Sequence, residues 1–236
     1  MGGRAYSIRM PGAGQRRLRR WAAAVVLGSL LGACQPQPEP PVASAPDWWV
    51  VPGVRVGPVD STTSEQDLIA RVGEGHIVRR HAQIGEGFCA PGSVIDPDTP
   101  DSVVVVWTDS TFTRPAIVFV SGEGSRWKTA AGVRVGTTLR ELEALSSGKP
   151  IRFMGFGWDY GGSGSWSEPG SGELRIVLHP DSASNAAANS DPRAGEIMGD
   201  REVSSDHPLL RQMTIRVVRM SIQWSEPRVQ YTCPGL

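Results

Sequence analysis

The chain has 236 residues, of which 24 are basic, 24 acidic and 39% hydrophobic. Residues 1–33 contain six of the arginines and no acid, so the remainder holds 18 basic against 24 acidic residues, a net charge of −6 with His neutral. Such a mildly acidic remainder lacks the basic stripe that a phosphate backbone requires, which excludes nucleic acid as a partner.

The N-terminal region has the layout of an export signal. Arg4, Arg9, Arg16, Arg17, Arg19 and Arg20 precede the apolar run Trp21 to Ala33. That run is 13 residues long, whereas spanning a hydrocarbon core takes roughly 20. A cleaved signal over 1–33 therefore fits better than a permanent helix. Met10 is an alternative start to Met1, because Arg16 to Arg20 alone would supply the charged region.

The run closes on Leu31-Gly32-Ala33-Cys34, which resembles the bacterial lipobox. The resemblance implies that Cys34 becomes the lipidated mature N-terminus and attaches the protein to a membrane. The alternative is an ordinary secretory signal with Cys34 merely nearby. Gln35 is not the aspartate of an inner-membrane retention signal, so the implied address is the outer membrane, facing the periplasm. Residues 34–50 are rich in proline, which has little to bury and no backbone donor, and they read as an extended tether.

With Cys34 taken by lipid, Cys89 and Cys233 remain as an even pair in an oxidising compartment, which predicts a disulfide; two buried free thiols are the alternative. No histidine motif accompanies Cys89, so it lacks the base that a cysteine nucleophile requires.

Beyond the tether the sequence predicts an α+β fold of two related halves, 51–125 and 126–236, each a short helix packed on an antiparallel sheet. Gly53-Val54-Arg55-Val56-Gly57 recurs letter for letter at Gly132 to Gly136. Each copy precedes a helical stretch: Thr62 to Val72, with Thr62 and Glu65 at capping-box spacing, and Thr138 to Leu145, with Thr138 and Glu141 likewise. Gly73 and Gly148 mark the helix ends. The β-branched runs Val103 to Trp107 and Ala116 to Val120 predict an antiparallel pair, with Ile151 to Trp158 and Gly172 to His179 as their counterparts. Trp107-Thr108-Asp109 and Trp158-Asp159-Tyr160 take similar places in the two halves. Leu174, Ile176 and Leu178 alternate with Arg175 and Val177, the pattern of a strand with one wet face. Residues 181–207 read as a long surface loop. Met213 to Trp224 reads as a C-terminal strand with a bulge near Val217 and Val218 that turns both hydrophobic phases inward.

The stretch Gly132 to Glu143, followed by Gly148-Lys149-Pro150 and by Gly155-Phe156-Gly157-Trp158-Asp159-Tyr160-Gly161-Gly162, resembles a family of uncharacterised bacterial lipoproteins over about residues 52–224. In order of elements alone, the chain is similar to outer-membrane assembly lipoproteins of the BamE type and to tandem-repeat β-lactamase inhibitor proteins. Neither likeness carries a functional residue over.

The search for chemistry yields no cofactor motif and no metal-ligand spacing among His76, His81, His179 and His207. His76 and His81 flank a predicted strand on opposite faces; His179 and His207 read as solvated residues at the edges of the long loop. The Gly-Glu-Gly tripeptides at 73–75, 85–87 and 122–124 read as turns, and Gly162-Ser163-Gly164-Ser165-Trp166 as a flexible hairpin connection. Trp127, Trp158, Asp159, Tyr160 and Trp166 form a candidate aromatic and acidic surface for an envelope protein or glycan. The leading expectation is a non-catalytic binding module. The alternatives are a cell-wall or glycan hydrolase using Asp159, Glu168 or Glu173, and an inhibitor of a secreted enzyme.

Overall fold

A computed structural model of the protein describes residues 47–167 and 170–234. The predicted signal, Cys34 and most of the tether lie outside the described residues, as does Glu168. Among the described residues no helix is long and apolar enough to cross a membrane.

The folded body starts earlier than residue 51. Trp48 packs edge-on against Trp127 with ring centroids 4.9 Å apart, and Val50 is fully buried in the core. Strands β1 (Val50–Val51), β2 (Arg55–Val56) and β3 (Val59–Asp60) make a small antiparallel sheet. Helix α1 (Glu65–Val72) and strands β4 (Ile77–Gly85), β5 (Phe88–Ile95), β6 (Val103–Trp107) and β7 (Pro115–Val120) follow. Next come α2 (Leu139–Leu145), β8 (Arg152–Met154), β9 (Ser163–Trp166), β10 (Leu174–Pro180) and α3 (Ser182–Asn189), and then β11 (Glu202–Ser204), β12 (Ile215–Gln223) and β13 (Tyr231–Thr232).

From β4 onward the strands build one antiparallel sheet in the order β11-β8-β9-β10-β12-β7-β6-β5-β4, with β13 pairing the start of β5 beside β6. Two runs of strands meet at its centre, where β7 pairs with β12 from Ile117↔Gln223 to Val120↔Met220. The fold is therefore α+β around a large antiparallel sheet.

The unbroken β6 run has a physical reason. Val103, Val105 and Trp107 enter the main core, while Val104 and Val106 join Ala82, Ala90, Ile117 and Phe119 in a second apolar cluster on the other face. A strand apolar on both faces shows no alternation.

Four expectations are corrected. First, β8 and β10 do not pair with each other, because Ser163 to Trp166 is itself strand β9 between them. Gly164 permits this: a Cβ there would lie 2.7 Å from the Arg152 carbonyl. Second, 181–207 is structured. Asp181 accepts the Ser184 N–H at 2.7 Å and caps α3, whose alanines favour a helix, and β11 pairs with β8. Third, the bulge lies where expected, but Val218 is its extra residue and turns outward, 38% exposed, while Val217 and Met220 are buried. Fourth, Trp107 is a core residue of β6, whereas Trp158 lies in the loop after β8, so their places in the chain differ.

Helix α2 starts as predicted, with Thr138 and Glu141 in a capping box. Helix α1 is capped later than predicted, by Ser64 and Asp67, because Glu65 turns inward. Its carboxylate is held by the Arg79 guanidinium and by the Ser93 hydroxyl at 2.5 Å, and Ser93 Oγ accepts the Trp107 indole N–H at 2.9 Å. Ahead of both helices the turn is the same. Asp60 N–H donates to Thr63 Oγ1 at 3.0 Å and Arg134 N–H to Thr137 Oγ1 at 2.9 Å, and both threonines are buried. The identical pentapeptides do not share a setting: Val54 is 54% exposed and Val133 fully buried.

Cys89 and Cys233 form a disulfide with Cα atoms 5.0 Å apart, fastening the C-terminal end to β5. At the far side of the sheet, Gly162 (φ +75°) sits so close to β10 that a Cβ would lie 1.9 Å from the Leu178 carbonyl oxygen. Gly162→Ala should cost roughly 3 kcal/mol or more, from strain plus backbone displacement. Gly124→Ala has a similar φ (+76°) in open space and should cost about 1–2 kcal/mol. Urea denaturation of the two variants distinguishes these costs; equal midpoints would contradict the packing argument.

Candidate functional site: the open face of the curled sheet

Successive side chains on a strand point to opposite faces. One face of the main sheet meets the helices, with Val105, Val118, Ile176 and Met220 packed in one core with Leu68 of α1 and Leu142 of α2. The other face carries no helix from α1 or α2. It presents Ile117 and Phe119 on β7, Arg219, Ser221 and Gln223 on β12, and Arg175, Val177 and His179 on β10.

This open face is concave. Six inter-strand gaps separate β4 from β9, which on a flat sheet is roughly 29 Å. Yet Ile84 of β4 and Ser163 of β9 line the same hollows, and the Glu86 amide in the β4–β5 turn donates to the Asp159 carboxylate in the β8–β9 loop at 3.1 Å. The sheet curls until its two flanks touch at one end. Below that contact lie adjoining hollows of ≈ 380 Å³ and ≈ 270 Å³, sharing Ile84, Ser163, Val177 and Arg219.

The structure divides the candidate aromatic and acidic set. Trp158, Asp159 and Tyr160 stand together at the rim of the concave face. Trp158 donates its indole N–H to the Gly155 carbonyl at 3.0 Å and meets Tyr160 edge-on at 5.3 Å. Tyr160 is 40% exposed and packs over Gly85, next to Glu86. Crowding, and then the negative charges of Glu86, Asp159 and Glu226, push its pKa above the usual tyrosine value. Trp127 and Trp166 are not part of this surface. Both are core residues, at 4% and 3% exposure, with indole N–H groups bonded to the Asp101 carbonyl and the Ser146 hydroxyl. Their strand and loop phases point inward, where a large indole buries most area.

The carboxylates proposed for hydrolysis are engaged separately. Glu173 accepts the Ser165 hydroxyl at 2.6 Å and lies 4.0 Å from Arg175. Asp159 and Glu173 line different hollows. His76 pairs with Asp96, His81 with the Tyr231 hydroxyl and His207 with Glu196, while His179 lines a neighbouring depression of ≈ 440 Å³ with Trp158, Asp159, Asn185 and Asn189. Among the described residues no group of three or more His, Cys, Asp or Glu side chains is placed to hold a metal.

Sequence reasoning missed Ile117, Phe119 and Arg219. A signal was present, since Arg219 stands between Val218 and Met220 in a central strand, Ile215 to Gln223, and β7 is apolar at every position. Arg219 places its guanidinium 4.6 Å from the centre of the Phe119 ring. It makes no ion pair among the described residues, and the crowded concave wall alone lowers its pKa, although the side chain is still open to solvent.

Compared with known protein families, with curated proteins and with solved structures, the chain matches none. What the site does follows from its shape and charge: a walled, mixed apolar and cationic floor is suited to holding a protruding segment of another molecule.

Proposed function

We propose that the protein is a lipid-anchored component of the cell envelope, attached through Cys34 and facing the periplasm from the outer membrane, and that its curled sheet binds another envelope protein without acting on it chemically. The observation that carries the binding half is the concave face, where Ile84, Ile117 and Phe119 adjoin Arg219 and Ser221 between acidic and aromatic rims. Support for the address comes from the arginine-rich start, the short apolar run and the lipobox-like tetrapeptide. The Cys89–Cys233 disulfide agrees with an oxidising compartment.

The body also reads as two related halves. The matching turns at Thr63 and Thr137, the capping boxes that follow, and the buried pair Leu68 and Leu142 support this at a spacing of 74 residues, rather than through the repeated pentapeptide. On that reading the central β7–β12 pair joins the halves, and the concave face is their shared product.

Radiolabelled palmitate should enter the wild-type protein and not Cys34→Ala, which should leave the envelope fraction. Formaldehyde treatment of intact cells should give a discrete adduct that Phe119→Asp weakens. Palmitate incorporation into Cys34→Ala would overturn the anchor, and adducts indifferent to Phe119→Asp would overturn the binding face.

A further inference from the structure

The centre of the concave floor contains a charge that the chain does not answer. Arg219 sits on β12, flanked by β7 and β10, opposite Val177. Its guanidinium lies over Phe119, and among the described residues it forms no ion pair and no hydrogen bond to a carboxylate. Arg175 is its diagonal neighbour across the β10–β12 pair, since Arg175 faces Ser221. Diagonal side chains lie about 7–8 Å apart, close enough for two guanidinium groups to share one anion. Glu173 stands 4.0 Å from Arg175 and answers that cation in part, whereas Arg219 has no anion among the described residues, and holding it in a crowded concavity is unfavourable until one covers it.

We infer that Arg219, seconded by Arg175, is a receptor for a carboxylate on a protruding protein loop, and that an apolar residue beside that carboxylate seats on Phe119 and Ile117. The inference rests on the proposed binding role and names the partner's chemistry. A guanidinium answers a carboxylate through two parallel N–H···O bonds, which fixes orientation as well as charge. The apolar neighbours argue for a side chain pair over a free inorganic anion, which would leave Phe119 and Ile117 in water. The rim argues against an anionic lipid surface: Glu86 and Asp159 meet at the mouth and repel a broad sheet of negative charge, whereas a narrow loop passes between the walls.

The test uses the full-length protein in detergent and rhodamine-labelled capped tetrapeptides whose central pair is phenylalanine–glutamate or phenylalanine–glutamine, read by fluorescence anisotropy. The glutamate peptide should bind saturably and about tenfold or more tighter than the glutamine peptide. Arg219→Gln should remove that preference, while Arg114→Gln, an exposed change on the β6–β7 loop, should keep it. Equal binding of both peptides, or a preference that survives Arg219→Gln, would overturn the inference. So would inorganic phosphate displacing the glutamate peptide as readily as unlabelled peptide does, or Arg219-dependent binding to phosphatidylglycerol vesicles. If the Phe119-dependent adduct forms in cells while the peptides bind equally, the binding role stands and the carboxylate receptor falls. If neither occurs, both fall.

Discussion

Replacing Cys89 and Cys233 together by serine should lower the unfolding free energy by about 2–5 kcal/mol, and the melting midpoint by roughly 5–15 °C. The cysteines are 144 residues apart in sequence, and releasing so long a loop in the unfolded chain is where most of the effect arises in the chain-entropy account. A local consequence should accompany the global one. Strand β13 is two residues long and pairs with Phe88 and Cys89, so without the covalent tie it is left with that short ladder, the Cys233 N–H on the Gly87 carbonyl at 2.9 Å and the Tyr231 hydroxyl on His81 at 2.7 Å. Hydrogen exchange at residues 228–233 should then become fast while β6 and β7 remain protected. Calorimetry on the oxidised wild type and the double variant measures the first effect. An unchanged midpoint would mean that the unfolded chain is already restricted, or that the bridge is strained.

The second large effect is expected at Glu65. Glu65 is 5% exposed and its carboxylate accepts from Arg79 and Ser93, and Ser93 in turn accepts from Trp107, which is fully buried. Glu65→Ala removes the acceptor from a buried hydroxyl and leaves a void beneath α1, which should cost about 3 kcal/mol. Arg79 is mostly exposed and can return to water, so the cost comes chiefly from the buried side of the network. Ser93→Ala orphans the Trp107 indole N–H instead and should cost about 1–3 kcal/mol. The double variant should cost less than the sum, since both changes break one chain of bonds.

The same network sets an acid limit. Burial alone pushes the Glu65 pKa up, but the Arg79 and Ser93 bonds outweigh it, and the folded value lies below the ordinary glutamate value of 4.5. Because the folded state holds the proton more weakly than the unfolded chain, this carboxylate contributes fully above the unfolded pKa, and the contribution is lost as pH falls through the folded one. Glu65→Gln should therefore flatten the fall in urea midpoint below about pH 4.5. A wild-type slope retained in Glu65→Gln would place the acid sensitivity elsewhere.

Much of the fold was legible where local chemistry and tertiary packing agree. Thr138 and Glu141 cap α2 as their spacing demands, and the β-branched run of β6 is a strand because both of its faces are apolar. Where packing overrules spacing, the local pattern misleads. Thr62 and Glu65 stand at a capping-box interval, but Glu65 serves the core and Ser64 takes over the cap. Gly162 to Trp166 resembles a linker because glycine and serine have low strand propensity, yet Gly164 is needed for the close approach of β8. The polar, alanine-rich stretch after Asp181 lacks hydrophobic periodicity and still forms a helix, since its cap and its alanines suffice. The site was half visible. Trp158, Asp159 and Tyr160 drew notice as a local cluster, and they do stand at the rim. The floor was not visible as a single site, because Ile117, Phe119, Arg175 and Arg219 come together only when strands distant in sequence become neighbours.

On the proposed function, the concave face is where the protein meets its partner. A photo-activatable cross-linking residue installed in intact cells at position 117, on the concave floor, and separately at Lys149, beyond the end of α2 on the helix side, tests this directly. A discrete adduct should form from position 117 and disappear when Arg219→Asp is added, and none should form from position 149. Adducts from position 149 alone, or an identical pattern from both positions that ignores Arg219→Asp, would contradict it.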